Sequence, residues 1–270
     1  MSKKYDGLIA VVGDVHGAIE KVEYVASCLK RVHEQDGLDA ILLTGDIAAN
    51  FLPTRRRPTH GEEFLWRQDA LSVLRVLASV GVAVMWVPGN HDPRDPSKLL
   101  KYDVPPIVQN VDRRLVVVGS FVVAGLGGSP DRFGWPYEWE EPEARTALMD
   151  MGKADILLTH TPAFGHCDKA VRGEHCGSTS INLASPKYGF VVCGHIHEAV
   201  GLDSSTQDND VTLFGNAGAL GKPYPSEGFL LIGKQGDKRW IKHVDLSSGW
   251  GRVIAYDGKE LTRSTESVGF

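Results

Sequence analysis

Leu8–Gly17 reads LIAVVGDVHG: branched apolar residues, a glycine, then an Asp-x-His pair closed by a second glycine. A short unbroken apolar run rich in β-branched residues suits a strand buried on both faces. The abrupt change at Gly13-Asp14-Val15-His16-Gly17 marks the end of that strand. The same pattern returns in AILLTGDIAAN (Ala40–Asn50), VAVMWVPGNHD (Val82–Asp92), ILLTHTP (Ile156–Pro162) and FVVCGHIH (Phe190–His197). Each passes from apolar residues into a polar cluster of Asp, Asn or His. One such cluster is an ordinary turn, but five in series describe a site assembled from many strand ends.

The segments between them fix the topology. Val22, Val25, Ala26, Leu29 and Val32 recur at helical spacing within residues 19–33. Phe64, Leu65, Ala70, Leu71, Leu74 and Leu77 predict a second helix between Gly61 and Gly81. Strand-helix-strand-helix-strand order implies parallel strands with helical crossovers, whose ligands bind beyond the carboxyl ends. Further on, LVVV (Leu115–Val118), a Gly119-Ser120 turn and FVVAGL (Phe121–Leu126) predict a hairpin. A helix is expected around residues 144–151, and the end of the chain is strand-rich: VTLFGNAG, GFLLIG, WIKHVDL and GRVIAY. The expected fold class is α/β, a four-layer α-β-β-α sandwich of two mixed β-sheets flanked by helices. It is read as a single domain over residues 1–270, with 257–270 as a flexible polar tail.

Composition narrows the class of function. A chain of 270 residues buries one sizeable core, and a net charge of −5 argues against a surface built for bulk nucleic acid or anionic membrane. No apolar stretch reaches the length of a membrane span, and the N-terminal run is too short for a signal peptide. Cys28, Cys167, Cys176 and Cys193 lack CxxC spacing, so a reduced, cytoplasmic compartment is expected. Oligomeric state is left open.

Asp and His together suit divalent ions such as Mn, Fe or Zn, and no thiolate stands in the clusters. Alternation along the strand exit turns Asp14 and His16 to the same side, and His195 and His197 repeat the arrangement.

These residues resemble the calcineurin-like metallophosphoesterase superfamily, which carries D-x-H, G-D, G-N-H-[DE], an isolated H and G-H-x-H in this order. The match covers roughly residues 8 to 220. THTPAFGHCD through EHCGS to GHIHEAVG is similar to a predicted phosphohydrolase branch related to class III phosphodiesterases. The resemblance implies two divalent ions: Asp14, His16 and His197 on the first, Asn90, His160 and His195 on the second, Asp46 bridging. It implies a metal-dependent phosphohydrolase in which hydroxide between the ions attacks a phosphodiester or phosphomonoester. His91 is then the catalytic histidine, with Asp92 as the carboxylate that orients it. GDIAANFLP departs from the protein Ser/Thr phosphatase branch, and GNHD leans toward phosphodiesterases. The expected partner is a small phosphate ester, a nucleotide among the candidates, with no membrane and no nucleic acid. A non-catalytic scaffold of the same fold and a nuclease are the rival readings.

Other residues are weighed against plainer roles. His175, and Arg55 or Arg56 of the Arg55-Arg56-Arg57 run, are candidate substrate contacts. A zinc site at His166-Cys167 and His175-Cys176 matches no common spacing. Trp135, Tyr137 and Trp139 either stack on a base or pack on their own domain, and Asn216 is expected to support its loop.

Overall fold

A computed structural model describes residues 4–100, 103–208 and 210–268. Its first strand, β1 (Gly7–Val12), is buried along its length, as an unbroken apolar run requires. The chain continues through α1 (Ile19–Asp36), β2 (Ala40–Leu43), α2 (His60–Ala78), β3 (Ala83–Trp86), a short α3 (Ser97–Leu100) and β4 (Val108–Asn110). β1 to β4 pair parallel in that order, with α1 and α2 as the expected crossovers. A capping box starts α2: Thr59 accepts from the Glu62 amide while Glu62 accepts from the Thr59 amide. α1 stops at Gly37, whose φ of 79° only glycine adopts readily.

The second sheet begins with the predicted hairpin, β5 (Leu115–Val118) and β6 (Phe121–Leu126). A two-stranded ribbon of β7 (Ser129–Pro130) and β8 (Glu138–Trp139) follows, then α4 (Glu141–Met151), β9 (Ala154–Thr159), α5 (Thr179–Ala184), β10 (Tyr188–Cys193), β11 (Gly201–Gln207) and β12 (Asp210–Asn216). The spatial order is β11-β12-β10-β9-β6-β5, with four central strands parallel and the edge strands antiparallel. The chain then returns to the first sheet. β13 (Gly228–Gln235) lies antiparallel beside β1, and β14 (Lys238–Asp245), β15 (Trp250–Tyr256) and β16 (Leu261–Ser267) extend the meander outward.

The stretch 257–270, expected to be a flexible tail, contains β16. Its side chains are mostly exposed, so apolar alternation is absent, but its backbone pairs with β15 from Trp250↔Ser267 to Tyr256↔Leu261. Residues 269–270 of that stretch lie outside the described residues.

Three apolar layers result. Leu8, Ala10 and Val12 of β1 face α1 and α2, where Leu29, Trp66 and Leu74 pack. Ile9 and Val11, on the opposite face, meet Val123, Ile156 and Phe190 between the sheets. Leu157 and Val191 face Leu148 and Ile181 of α4 and α5. Each buried Val, Leu or Ile contributes roughly 1.5–3 kcal/mol, which is why β1, apolar on both faces, lies between two of the layers. All four cysteines are free thiols. Among the described residues no helix is long and apolar enough to cross a membrane.

Candidate metal centre

The polar clusters leave β1, β2, β3, β9 and β10 at one edge of the sandwich, and backbone hydrogen bonds join them. Val15 and His16 amides donate to the Asp46 carbonyl at 3.1 and 2.8 Å, and the Gly194 amide donates to the His160 carbonyl at 3.0 Å. His16, Asp46 and His195 stand at φ of 45°, 46° and 64°, a left-handed region that non-glycine residues seldom enter. Such strain gathers at functional sites because the surroundings hold it in place. A Cβ on Gly89 would strike the Asp46 carboxylate, and one on Gly194 the Asp14 carboxylate.

Asp14, His16 and His197 present ligand atoms within 4.8 Å of one another, as do Asp14, Asp46 and His160. His160 Nε2 lies 2.7 Å from Asn90 Oδ1 and 3.7 Å from Asp46 Oδ2. The His195 ring packs against His160 at a centroid separation of 4.8 Å. The Asp14 oxygens accept from Thr44 Oγ1 and the His195 amide, both at 2.8 Å. Asp46 Oδ1 accepts from the His91 amide at 2.9 Å.

The outer ring nitrogens decide the character of this cleft. His160 Nδ1 donates to the Thr44 carbonyl (2.9 Å), His197 Nδ1 to the Pro223 carbonyl (2.6 Å) and His16 Nδ1 to Asn50 Oδ1 (3.1 Å). A neutral imidazole that donates through Nδ1 keeps its lone pair on Nε2. The Nε2 atoms of His16 and His197 face each other at 3.2 Å, and His197 Nε2 is 3.2 Å from Asp14 Oδ2. Inward ring nitrogens that converge on carboxylate oxygens at these distances fit divalent cations, which would replace the proton shared by His197 and Asp14. Outward donation from a ligand histidine is the arrangement that metal sites use.

Burial pushes His16 down to about 4, and burial among the neighbouring imidazoles pushes His91 down to about 3. Burial also lowers His160 and His195, so these rings are neutral and ready to coordinate at pH 7. Burial lowers His197 too, but the hydrogen bond and charge of the Asp14 carboxylate outweigh that and raise it above 6.5; the other rings of the cleft move down. Burial opposes ionisation of Asp14, but His160, His197 and His16 outweigh it and hold the group below its usual range. Asp46 moves the other way, raised well above 3.8 by burial and by the Asp14 and Asp92 charges. The two carboxylates thus shift in opposite directions, and a cation between them would favour ionisation of both.

Not every candidate joins the cluster. Asp92, expected to orient His91, instead accepts from Trp66 Nε1 (2.9 Å) and from the Gly89 (2.8 Å) and Ile47 (3.4 Å) amides. It is fully buried and shapes the turn. His91 is left with Nδ1 buried and unpartnered. His175 donates to the buried Asp168 (2.6 Å) and packs on Phe164 in the loop before α5. Arg56 is spent on Glu62 at the start of α2. Arg55 lies nearer, its Nε donating to the Phe133 carbonyl at 3.1 Å. His166 donates to Asp203 (2.7 Å) and stacks on Phe214. Tyr137 and Trp139 are core residues, and Asn216 braces its loop by donating to the Cys167 and Ile196 carbonyls. Trp135, read from sequence only as a base stacker or packing residue, lies on the His91 ring, centroids 4.0 Å apart. The contacts of Thr44, Asn50, Trp66 and Pro223 escaped notice because they are made across the fold; only Thr44 and Asn50, which flank Gly45-Asp46, stood near a legible signal.

An α-β-β-α sandwich with convergent Asp, Asn and His at its strand exits defines a metal-binding phosphoesterase architecture. Residues 7–199 match the family model for calcineurin-like phosphoesterases, and the chain belongs to that family, which is generally metal-dependent. It is 26% identical over 265 residues to a cAMP/cGMP dual specificity phosphodiesterase of Mycobacterium tuberculosis, covering 89% of this chain and 76% of that protein. The fold is similar to that of TT1561 of Thermus thermophilus, with TM-score 0.53, 18% identity and coverage of 97% and 99%. It is also similar to GAP50, the anchor in the inner membrane complex of Plasmodium, with TM-score 0.50, 12% identity and coverage of 98% and 89%.

Proposed function

We propose that the chain is a metal-dependent phosphohydrolase with two divalent ions in this cleft, hydrolysing a small phosphodiester or phosphomonoester. Asp14, His16 and His197 would hold one ion and Asn90, His160 and His195 the other, with the Asp46 carboxylate available to both. The observation that carries the reading is the set of inward-facing Nε2 atoms of His16, His160 and His197, each turned into the cleft by an outward Nδ1 contact. When bound, such ions supply positive charge to phosphoryl oxygens and lower the pKa of a coordinated water.

The chain's own residues set the geometry. Thr44 and the His195 amide hold the Asp14 carboxylate, and the His91 amide holds Asp46. The His91 Nδ1 is buried and unpartnered, and in this reading Nε2 is the atom that meets the substrate. The neutral His91 imidazole donates a hydrogen bond from that atom to the leaving oxygen and stabilises the charge that develops there. Similarity to a cyclic-nucleotide phosphodiesterase supports a diester substrate with a nucleoside group.

Metal-stripped protein is to be titrated with Mn, Fe or Zn and assayed on bis-p-nitrophenyl phosphate and p-nitrophenyl phosphate. Two ions per chain by elemental analysis, with turnover, is the expected result. A single ion at saturation contradicts the dinuclear centre. Full loading without turnover by any metal contradicts catalysis and leaves a scaffold.

A further inference from the structure

The carboxylate beside His91 in sequence does not hold the His91 ring, so something else must. Asp92 is committed to Trp66 and two backbone amides, and the His91 amide bond to Asp46 fixes only the main chain. An imidazole whose buried Nδ1 has no partner is oriented by packing alone. Two rings pack on it: Trp135, with centroids 4.0 Å apart at 57°, and His16, edge-on at 5.7 Å and 73°. His16 is itself a proposed ligand held from its far side by Asn50, which leaves Trp135 as the wall on the ring's other contact.

We propose that Trp135 is the positioning residue for His91, taking by ring contact the role that Asp92 does not fill.

The loop that carries Trp135 is built to hold it still. Arg55 clamps it twice, through its amide to the Gly134 carbonyl (2.8 Å) and Nε to the Phe133 carbonyl (3.1 Å). Glu138 accepts from the Phe133 (3.0 Å) and Gly134 (2.7 Å) amides, closing the loop on itself. The Tyr137 amide donates to the Asn90 carbonyl at 3.2 Å, so the loop is registered to the residue next to His91. Phe133 meets the Trp135 ring edge-on, centroids 6.3 Å apart. Arg55, expected to contact phosphate, therefore acts on the site through Trp135. A ring held in one plane keeps its N–H aimed at one point, and misaiming by a fraction of an ångström is felt in the rate.

The inference rests on the leaving-group role of His91 proposed above, and its test separates the two. Metal-loaded wild type, His91→Ala, Trp135→Ala and Trp135→Phe are to be compared on aryl phosphodiesters of rising leaving-group pKa. Both alanine variants are expected to steepen the dependence of kcat on leaving-group pKa, and Trp135→Phe to restore it. Trp135→Ala should lose about tenfold to a hundredfold in kcat on the poorest leaving group, less than the roughly 10²–10³ lost when a positioned hydrogen-bond donor is removed outright. An unchanged slope in His91→Ala sinks the leaving-group role and this inference together. A steep slope in His91→Ala beside a wild-type slope in Trp135→Ala overturns the inference alone. A readout independent of turnover is the proton cross-relaxation between the His16 and His91 rings in metal-free protein. It should persist in wild type and Trp135→Phe and vanish in Trp135→Ala; its persistence in Trp135→Ala overturns the inference.

Discussion

Asp14 and Asp46 lie in one buried pocket, yet their protons answer to different neighbours. The histidines around Asp14 keep it ionised, while burial and the charge of Asp14 itself keep Asp46 protonated. In the metal-free fold Asp46 therefore holds a proton that the unfolded chain, at the ordinary 3.8, has lost. A raised folded-state pKa contributes stability that is complete below 3.8 and disappears as pH rises through the folded value. Asp46→Asn is a neutral isostere that removes this liability. It should raise the thermal midpoint of the metal-free protein at pH 7, by a margin over wild type that grows from pH 4 upward. The same substitution should weaken binding of both ions. A metal-free midpoint unchanged at every pH would show that Asp46 is not protonated there. Measured proton uptake or release on metal addition gives an independent check, since loading must expel the Asp46 proton.

At the scale of elements, the strand exits explain why glycines flank the ligands. Gly194 lets the turn after β10 pass against the Asp14 carboxylate, and Gly89 lets the turn after β3 pass against Asp46. A methyl group at either position displaces a ligand oxygen without touching the apolar layers. Gly194→Ala should leave the circular-dichroism spectrum intact and cut metal affinity by about 10–100-fold, the range seen when groups that orient ligands are altered. Metal affinity equal to wild type by isothermal titration would mean that the turn relaxes instead.

Much of this level was legible beforehand. β1, β2, β3, β9 and β10 announced themselves as apolar runs followed by polar clusters, and α1 and α2 by helical spacing. β16 was not legible, because LTRSTES is exposed along an edge and its pairing depends on backbone bonds to β15 that carry no side-chain pattern. The place of Asp92 in the fold was hidden for a related reason. Its neighbour in sequence is His91, but the turn rotates its carboxylate toward Trp66 in the middle of α2, 26 residues away.

At the scale of the molecule, the return of β13 beside β1 places the C-terminal meander against the inner layer, and His243 of β14 is buried there. Burial and the charge of Arg252, its cross-strand partner on β15, push His243 down to about 4, and its Nε2 has no hydrogen-bond partner. A depressed folded-state pKa gives stability that is full above the unfolded value of 6.5 and is lost as pH falls toward 4. His16 and His91 of the metal-free site add to the same acid loss. His243→Leu removes a proton acceptor and an unsatisfied buried nitrogen together. It is expected to narrow the drop in thermal midpoint between pH 7 and pH 4.5, most cleanly with the metal site loaded. A drop as large as in wild type would place the acid sensitivity elsewhere.

What the sequence by itself determined was the local chemistry: which runs are strands and helices, and which Asp, Asn and His stand at strand exits. Those follow from side-chain periodicity and from glycine's freedom, both of which act over a few residues. Only the tertiary structure decided which nitrogen of each histidine faces inward, where Asp92 turns and what lies against His91. Those outcomes depend on partners that are adjacent only after folding: the Thr44 carbonyl for His160, the Pro223 carbonyl for His197, Trp66 for Asp92 and Trp135 for His91. A hydrogen bond or ring contact acts over a few ångströms of space, and distance along the chain does not record it.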